Sequence, residues 1–415
     1  MAAQQFISAG NAAPVNPANA SISLAPNFKI CEVDDKFEPE TKSIAVPPSP
    51  PLGVLSRFSG KFCGKGFNLI FRPNSGPPTT TTFPNPIQPA APTPPSENVL
   101  ELNLTTETLS FSDPLGSIPN RGLETQNDIF LNGVPYVQAI NDVTNTATGK
   151  ADGKPTGIHF EPGLWMHIPA TTVDPVLGES LTRMASIPHG TTINAQCLAP
   201  TTTFAGPPKI EPVDITPFVI ANGKKVRFAS QTASDIATPR LPQDLSKFIA
   251  AGTITQAILD DPNTVLRNAN NGKNITKTVV FQVSTTPTVP ELGGGTANIA
   301  FLLGNNLGPN ASAVQMTATF WIETVQHKIV VPIFKPGQPA LKIKPAEPHP
   351  GAEVPVFTVN PPHEITEPKT ITVTSTQIQY SQVVFLNFAK LTWPHVSVAT
   401  LVPTSEQTVP PSAWN

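Results

Sequence analysis

Apolar and polar positions alternate with a period of two along much of this chain. From His159 to Ile168 the odd positions are His159, Glu161, Gly163, Trp165 and His167, and the even positions are Phe160, Pro162, Leu164, Met166 and Ile168. Side chains on a strand point alternately to its two faces. The stretch therefore predicts a strand with one apolar face and one face carrying two imidazoles, a carboxylate and an indole. Leu181–Cys197 continues in the same style and holds His189, with the turn signals of Val173–Ser180 between the two halves. On an open sandwich the polar face meets solvent; on a closed barrel it lines a ligand cavity. A bulge at Pro162-Gly163 would reverse the register of everything after it.

Further alternating runs predict strands over Val99–Phe111, Asp128–Asp142, Ile275–Ser284 and Thr296–Leu303. Ala313–Val325 and His327–Phe334 read as a hairpin, followed by strands Thr370–Ser375, Thr376–Phe388 and Leu391–Val402. Helical spacing occurs only in Asp244–Leu259 and Asn263–Asn268, cut into short pieces by Gly252 and Pro262. The segment organisation that follows is a Pro/Ala/Asn-rich arm (1–52), a first part of a barrel (53–204), a loop and short-helix insertion (205–274), a second part of the barrel (275–405) and a tail (406–415). The arm is expected to lie over the surface or to contact a second copy in a homo-oligomer. Residues 74–96 read as an exposed Pro/Thr linker. The insertion is expected either to lid one barrel mouth or to elaborate the surface.

Composition sharpens this picture. With 50 prolines in 415 residues, long helices are ruled out and proline-bounded strands are favoured. Only 13% of residues are charged, the net charge is −3, and no basic cluster is longer than Gly223–Arg227, which argues against a nucleic-acid partner. Cys31, Cys63 and Cys197 are too few for a disulfide framework, although a Cys63–Cys197 bridge is conceivable. The N-terminal residues lack the pattern of a secretory signal, and no apolar run is long enough to span a bilayer. The expectation is a cytoplasmic protein with no membrane span.

Three motifs carry a family resemblance. Gly60-x-Phe62-x-Gly64-x-Gly66 is similar to the first-strand glycine pattern of nitrobindin-like proteins, with Phe62 where that family usually has Trp. His159-x-Glu161-x-Gly163, followed by Pro169-x-Thr171, is similar to that family's His-x-Glu-x-Gly strand. His395-x-x-x-Ala399-Thr400-Leu401 resembles its C-terminal strand. These proteins share the calycin barrel of the fatty-acid-binding proteins. The resemblance implies an all-β fold, an enlarged calycin-like antiparallel β-barrel. It also implies haem b bound through His395 as axial ligand, with chemistry on peroxide, nitric oxide or peroxynitrite. His159, Trp165 and His167 would then set the polarity of the distal side.

Two readings stand beside it. Without haem, His159, Glu161 and His167, joined by His189 from the next strand, have the residue types of a non-haem metal site. The same groups could instead move protons on a bound apolar small molecule, as an isomerase or cyclase does, or simply help bind it. The third reading is a structural or interaction protein whose polar stripe faces water. No nucleophile elbow is present, which argues against a covalent hydrolase.

Overall fold

The protein was analysed as a computed structural model, which describes residues 48–73, 98–173, 176–187, 189–197, 201–238, 240–286, 293–303 and 311–414. The expectations for most of the N-terminal arm, including its role in a homo-oligomer, and for the Pro/Thr linker lie outside the described residues.

Ten antiparallel strands close into a barrel. In chain order they are β1 Gly60–Pro73, β2 Asn98–Phe111, β3 Ile129–Asp142, β4 Thr156–Ile168 and β5 Ser180–Ile187. They continue with β6 Thr191–Cys197, β7 Asn274–Ser284, β8 Ser312–Val331, β9 Lys369–Phe388 and β10 Leu391–Pro403. Each pairs with its neighbours in sequence, and β1 pairs with β10 to close the ring. This is an up-and-down barrel, whose closure pairs strand edges that an open sheet would expose.

The glycines of β1 explain the closure. A Cβ on Gly64 would lie 1.9 Å from the carbonyl oxygen of Thr400 on β10, and one on Gly66 would lie 2.3 Å from that of Val398. Only glycine permits this backbone approach. β1 can therefore pair along its whole length with β2 while also pairing with β10.

The β3–β4 ladder runs without a shift from Tyr136↔Gly163 through Ile140↔His159, so Pro162-Gly163 introduces no bulge and the alternation of β4 is kept. Three strand expectations needed correction. The predicted hairpin at 313–334 is one strand, β8, and the pair of strands at 370–388 is likewise one strand, β9. Both are 20 residues long because they run past the barrel. Their ends, including Ile329, Val331, Ile371 and Val373, pack under a small sheet of Leu341–Ile343, Phe357–Val359 and Gln407–Thr408. The strand expected at 296–303 is shorter, Gly295–Asn298, and is followed by a helical turn, Ala300–Leu303.

Helices α1 Ser246–Ala251, α2 Gln256–Asp260 and α3 Thr264–Ala269 form where helical spacing was read. Gly252 ends α1 in the left-handed conformation, φ 72°. The lid expectation fails for this insertion. Its apolar residues, among them Phe248, Leu259 and Leu266, pack on the outer face of β1, β2 and β10 against Phe67, Leu102 and Val396. Cys63 is a free thiol within 3.4 Å of the Thr108 hydroxyl, so no Cys63–Cys197 bridge forms.

Candidate functional site

The barrel interior is divided into three layers. One end is solid. The short turn Gly53–Arg57 and the residue after it insert Leu55 and Phe58, which pack with Phe62, Phe111, Phe281, Phe320 and Trp165. The Trp165 ring meets Phe320 edge-on at 5.1 Å and Phe281 at 5.7 Å. Contacts of this kind add about 0.5–1.5 kcal/mol beyond simple burial. Trp165 is thus part of the packed core. His167, two residues on, also faces that end and pairs with Glu179 at 3.4 Å. Neither residue lines the chamber that holds His159, His189 and His395.

The middle layer is a buried polar belt. Glu161 (0% exposed) accepts from Arg183 Nη2 at 2.6 Å and from the Tyr136 hydroxyl through the same oxygen, and its other oxygen lies 3.2 Å from His159 Nε2. Burial pushes the Glu161 carboxyl up, but the Arg183 charge and the hydrogen bonds from His159 and Tyr136 outweigh it and bring the pKa down to about 2. Arg183 also donates to Tyr136 Oη at 2.8 Å, Gln382 Oε1 at 2.6 Å and Gln138 Oε1 at 3.4 Å. Its guanidinium lies over the Tyr136, Trp165 and Phe320 rings. Beside this cluster, Glu107 accepts from Tyr380 Oη at 2.6 Å and from Gln138 Nε2 at 2.7 Å. Burial raises its pKa to about 7, against the hydrogen bonds and the Arg183 charge that lower it.

Gly163 lets the belt form. A Cβ there would fall 2.4 Å from the Tyr136 ring, so glycine is the residue over which that ring can lie while its hydroxyl reaches Glu161.

Above the belt is a chamber of about 190 Å³. Gln138, Tyr380 and Gln382 are its polar floor, and Ile140, Ile187, Ile193, Val384 and Leu386 supply much of its wall. His159, His189 and His395 all line it. The structure therefore brings together three histidines predicted from separate strands, with Glu161 directly behind one of them.

Their hydrogen bonds assign the ring nitrogens. His395 Nε2 lies 2.8 Å from the Asn68 amide nitrogen and accepts from it. Asn68 also donates to Ser397 Oγ at 2.7 Å and accepts from Asn103 Nδ2 at 3.3 Å, which fixes its orientation. Burial, then the nearby His159 and His189, lowers the His395 pKa to about 3, so the ring is neutral. His189 stands at the mouth and donates Nε2–H to the Ile158 carbonyl at 3.1 Å. Partial burial and the neighbouring His159, 5.8 Å away between ring centroids, lower its pKa. His159 turns Nε2 to ionised Glu161.

The implied haem finds the right donor chemistry, a neutral imidazole, but not the room. Small-molecule pockets run from roughly 300 Å³ upward, whereas this chamber holds about 190 Å³, and the macrocycle is larger than most such ligands. The Nε2 of His395 is also committed to Asn68. Haem does not fit this arrangement. Among the described residues no three His, Cys, Asp or Glu side chains are grouped to hold a metal ion, so the non-haem metal reading finds no ligand set there.

Sequence reasoning missed Arg183, Tyr136, Glu107, Gln138 and Tyr380. Arg183 had a readable signal: it is the one charge on the inward face Leu181, Arg183, Ala185, Ile187 of β5.

In comparisons with known proteins, no family model, no curated protein and no solved structure matches this chain. Among the described residues no helix is long and apolar enough to cross a membrane.

Proposed function

We propose that the protein is a small-molecule-binding barrel, and that its ligand is a compact, neutral, mostly apolar molecule carrying one hydrogen-bond donor. The observation that carries this reading is the chamber itself: apolar walls, three imidazoles, and no lysine or arginine in its lining. The interior guanidinium, Arg183, lies in the belt beneath and is neutralised by Glu161. A carboxylate ligand such as a fatty acid would enter without a lysine or arginine partner, at high desolvation cost. A cavity of about 150 Å³ is known to hold benzene, so about 190 Å³ suits a single-ring molecule such as a phenol. Its hydroxyl would donate to the Nδ1 acceptor of His189, and an acceptor group could reach the Nδ1–H of His395.

The same groups support proton transfer as a second reading. Glu161 holds His159 by one nitrogen, and this is how a carboxylate orients an imidazole for general base catalysis. An isomerisation that moves one proton needs nothing more than such a base and a nearby donor.

The discriminating experiment is to mix the purified protein with excess haemin, remove the unbound fraction, and record the absorbance spectrum. No stoichiometric Soret band is expected. A stoichiometric band that disappears in His395→Ala would overturn the proposal in favour of haem binding.

A further inference from the structure

A second site lies outside the barrel. The outer wall of β7, β8 and β9 and the proline-rich segment at 345–355 enclose a pocket of about 230 Å³. Pro345, Pro348, Pro355 and Val325 give it apolar surface, and Lys273, His327 and Ser375 face it. Lys273 differs from the lysines around it. Lys65, Lys342 and Lys344 pair with Glu353, Glu406 and Glu347 at the surface. The Lys273 ammonium donates instead to a neutral amide, Gln377 Oε1, at 2.5 Å. Gln377 is buried, and its own Nε2 donates to the Glu323 carboxylate and to Asn270 Oδ1. Across the pocket, His327 Nε2 lies 2.9 Å from Ser375 Oγ.

From this geometry we infer that Lys273 is a carbonyl-capturing amine, and that the pocket takes a small neutral aldehyde or ketone as an imine. The attacking group must be the free amine, and the site favours it. Burial lowers the Lys273 pKa to about 8, against the pull of Glu323 and Glu353 that raises it. Burial raises Glu323 to about 7, so a proton acceptor of matched affinity stands on the far side of Gln377. His327, lowered to about 4 by burial and by Lys273, is a neutral imidazole lining the same pocket. In the reaction the Nζ lone pair forms a bond to the carbonyl carbon. The carbonyl oxygen takes up the two amine protons and leaves as water, and C=N remains. No oxidant or reductant is consumed.

The test uses the whole protein, propanal and borohydride, with peptide mass mapping to locate reduced adducts. A pKa near 8 gives Lys273 on the order of a hundredfold more free amine at pH 7.5 than an ordinary lysine. The lower basicity reduces the intrinsic nucleophilicity, so labelling about tenfold faster than at Lys65 and Lys342 is expected, rising with a midpoint near pH 8. The fast phase should vanish in Lys273→Arg. Labelling of Lys273 no faster than at the surface lysines would overturn the inference. Fast acylation by acetic anhydride without a reducible imine would also overturn it, because the amine would then be reactive but not open to carbonyl compounds. The wild-type reading stands even where the variant fails to fold.

Discussion

Arg183 Nη2 and Glu161 Oε1 lie 2.6 Å apart inside the barrel, with both side chains at or below 3% exposure. This ion pair divides the interior. Below it the barrel is packed solid around Trp165; above it lies the chamber with His159, His189 and His395. A buried pair of this kind contributes little over apolar packing when intact but costs much when one partner is removed. Arg183→Met should therefore destabilise the fold by about 3–5 kcal/mol, and Glu161→Gln by a comparable amount. The double variant should lose clearly less than the sum of the two. Urea unfolding midpoints of the four proteins measure this coupling, and strict additivity would show that the two groups do not act as a pair.

The second prediction concerns Gly163. Ala at this position places a methyl group against the Tyr136 ring, which lies 2.4 Å from the Cβ position. The ring must move and its bond to Glu161 must lengthen. A loss of about 1–3 kcal/mol is expected, the usual range for overpacking a core. Thermal unfolding of Gly163→Ala checks it, and an unchanged midpoint would show that the ring has room to shift.

Stability should follow pH with two opposing contributions. His395 has a folded pKa of about 3, below its value of about 6.5 in the unfolded chain, so its contribution is present above pH 6.5 and lost as pH falls toward 3. Between pH 7 and pH 4 this amounts to on the order of 2–3 kcal/mol. Glu107 has the opposite sign. Its folded pKa of about 7 lies above the unfolded value, so its contribution is present below about pH 4.5 and lost as pH rises toward 7. His395→Gln should flatten the acid limb of the stability profile and Glu107→Gln the limb from pH 5 to 7. Unfolding curves across this range, taken as differences from wild type, separate the two. Parallel profiles for either variant would contradict the corresponding assignment.

Much of the fold was legible because it depends on local rules. The period of two along 159–168 was enough to put His159, Glu161, Trp165 and His167 on one face, and that face does turn inward. The glycines of β1 were readable as a bend, and Gly252 as a helix stop. What the pattern does not encode is depth along the strand. His159 and His167 share a face but lie at opposite ends of the barrel, because depth is set by which residues of the other strands stand beside them. The chamber needs Asn68, Tyr380 and His395, more than 300 residues apart in sequence at the extremes, and no local period relates them. The long strands β8 and β9 were split at Gln326 and Ser375, polar positions that read as turns but pair across the ladder as ordinary strand residues. Lys273 was invisible for a similar reason: its burial comes from a proline-rich segment some seventy residues downstream.

Filling the chamber should remove ligand binding while leaving the belt intact. Val384 faces His395 across the β9–β10 ladder and lines the wall. Val384→Trp should lower the affinity for a single-ring phenol at least about tenfold, equivalent to about 1.4 kcal/mol. Unfolding by urea should still show one cooperative transition. Binding that survives the substitution would place the ligand elsewhere.

The most direct measurement is calorimetric titration of the wild-type protein with 4-methylphenol and, separately, with 4-methylbenzoate, two para-substituted toluenes, one neutral and one anionic. The account predicts that the phenol binds at one site and that the carboxylate binds at least about tenfold more weakly, since no lysine or arginine lines the chamber. Equal or tighter binding of 4-methylbenzoate would contradict it.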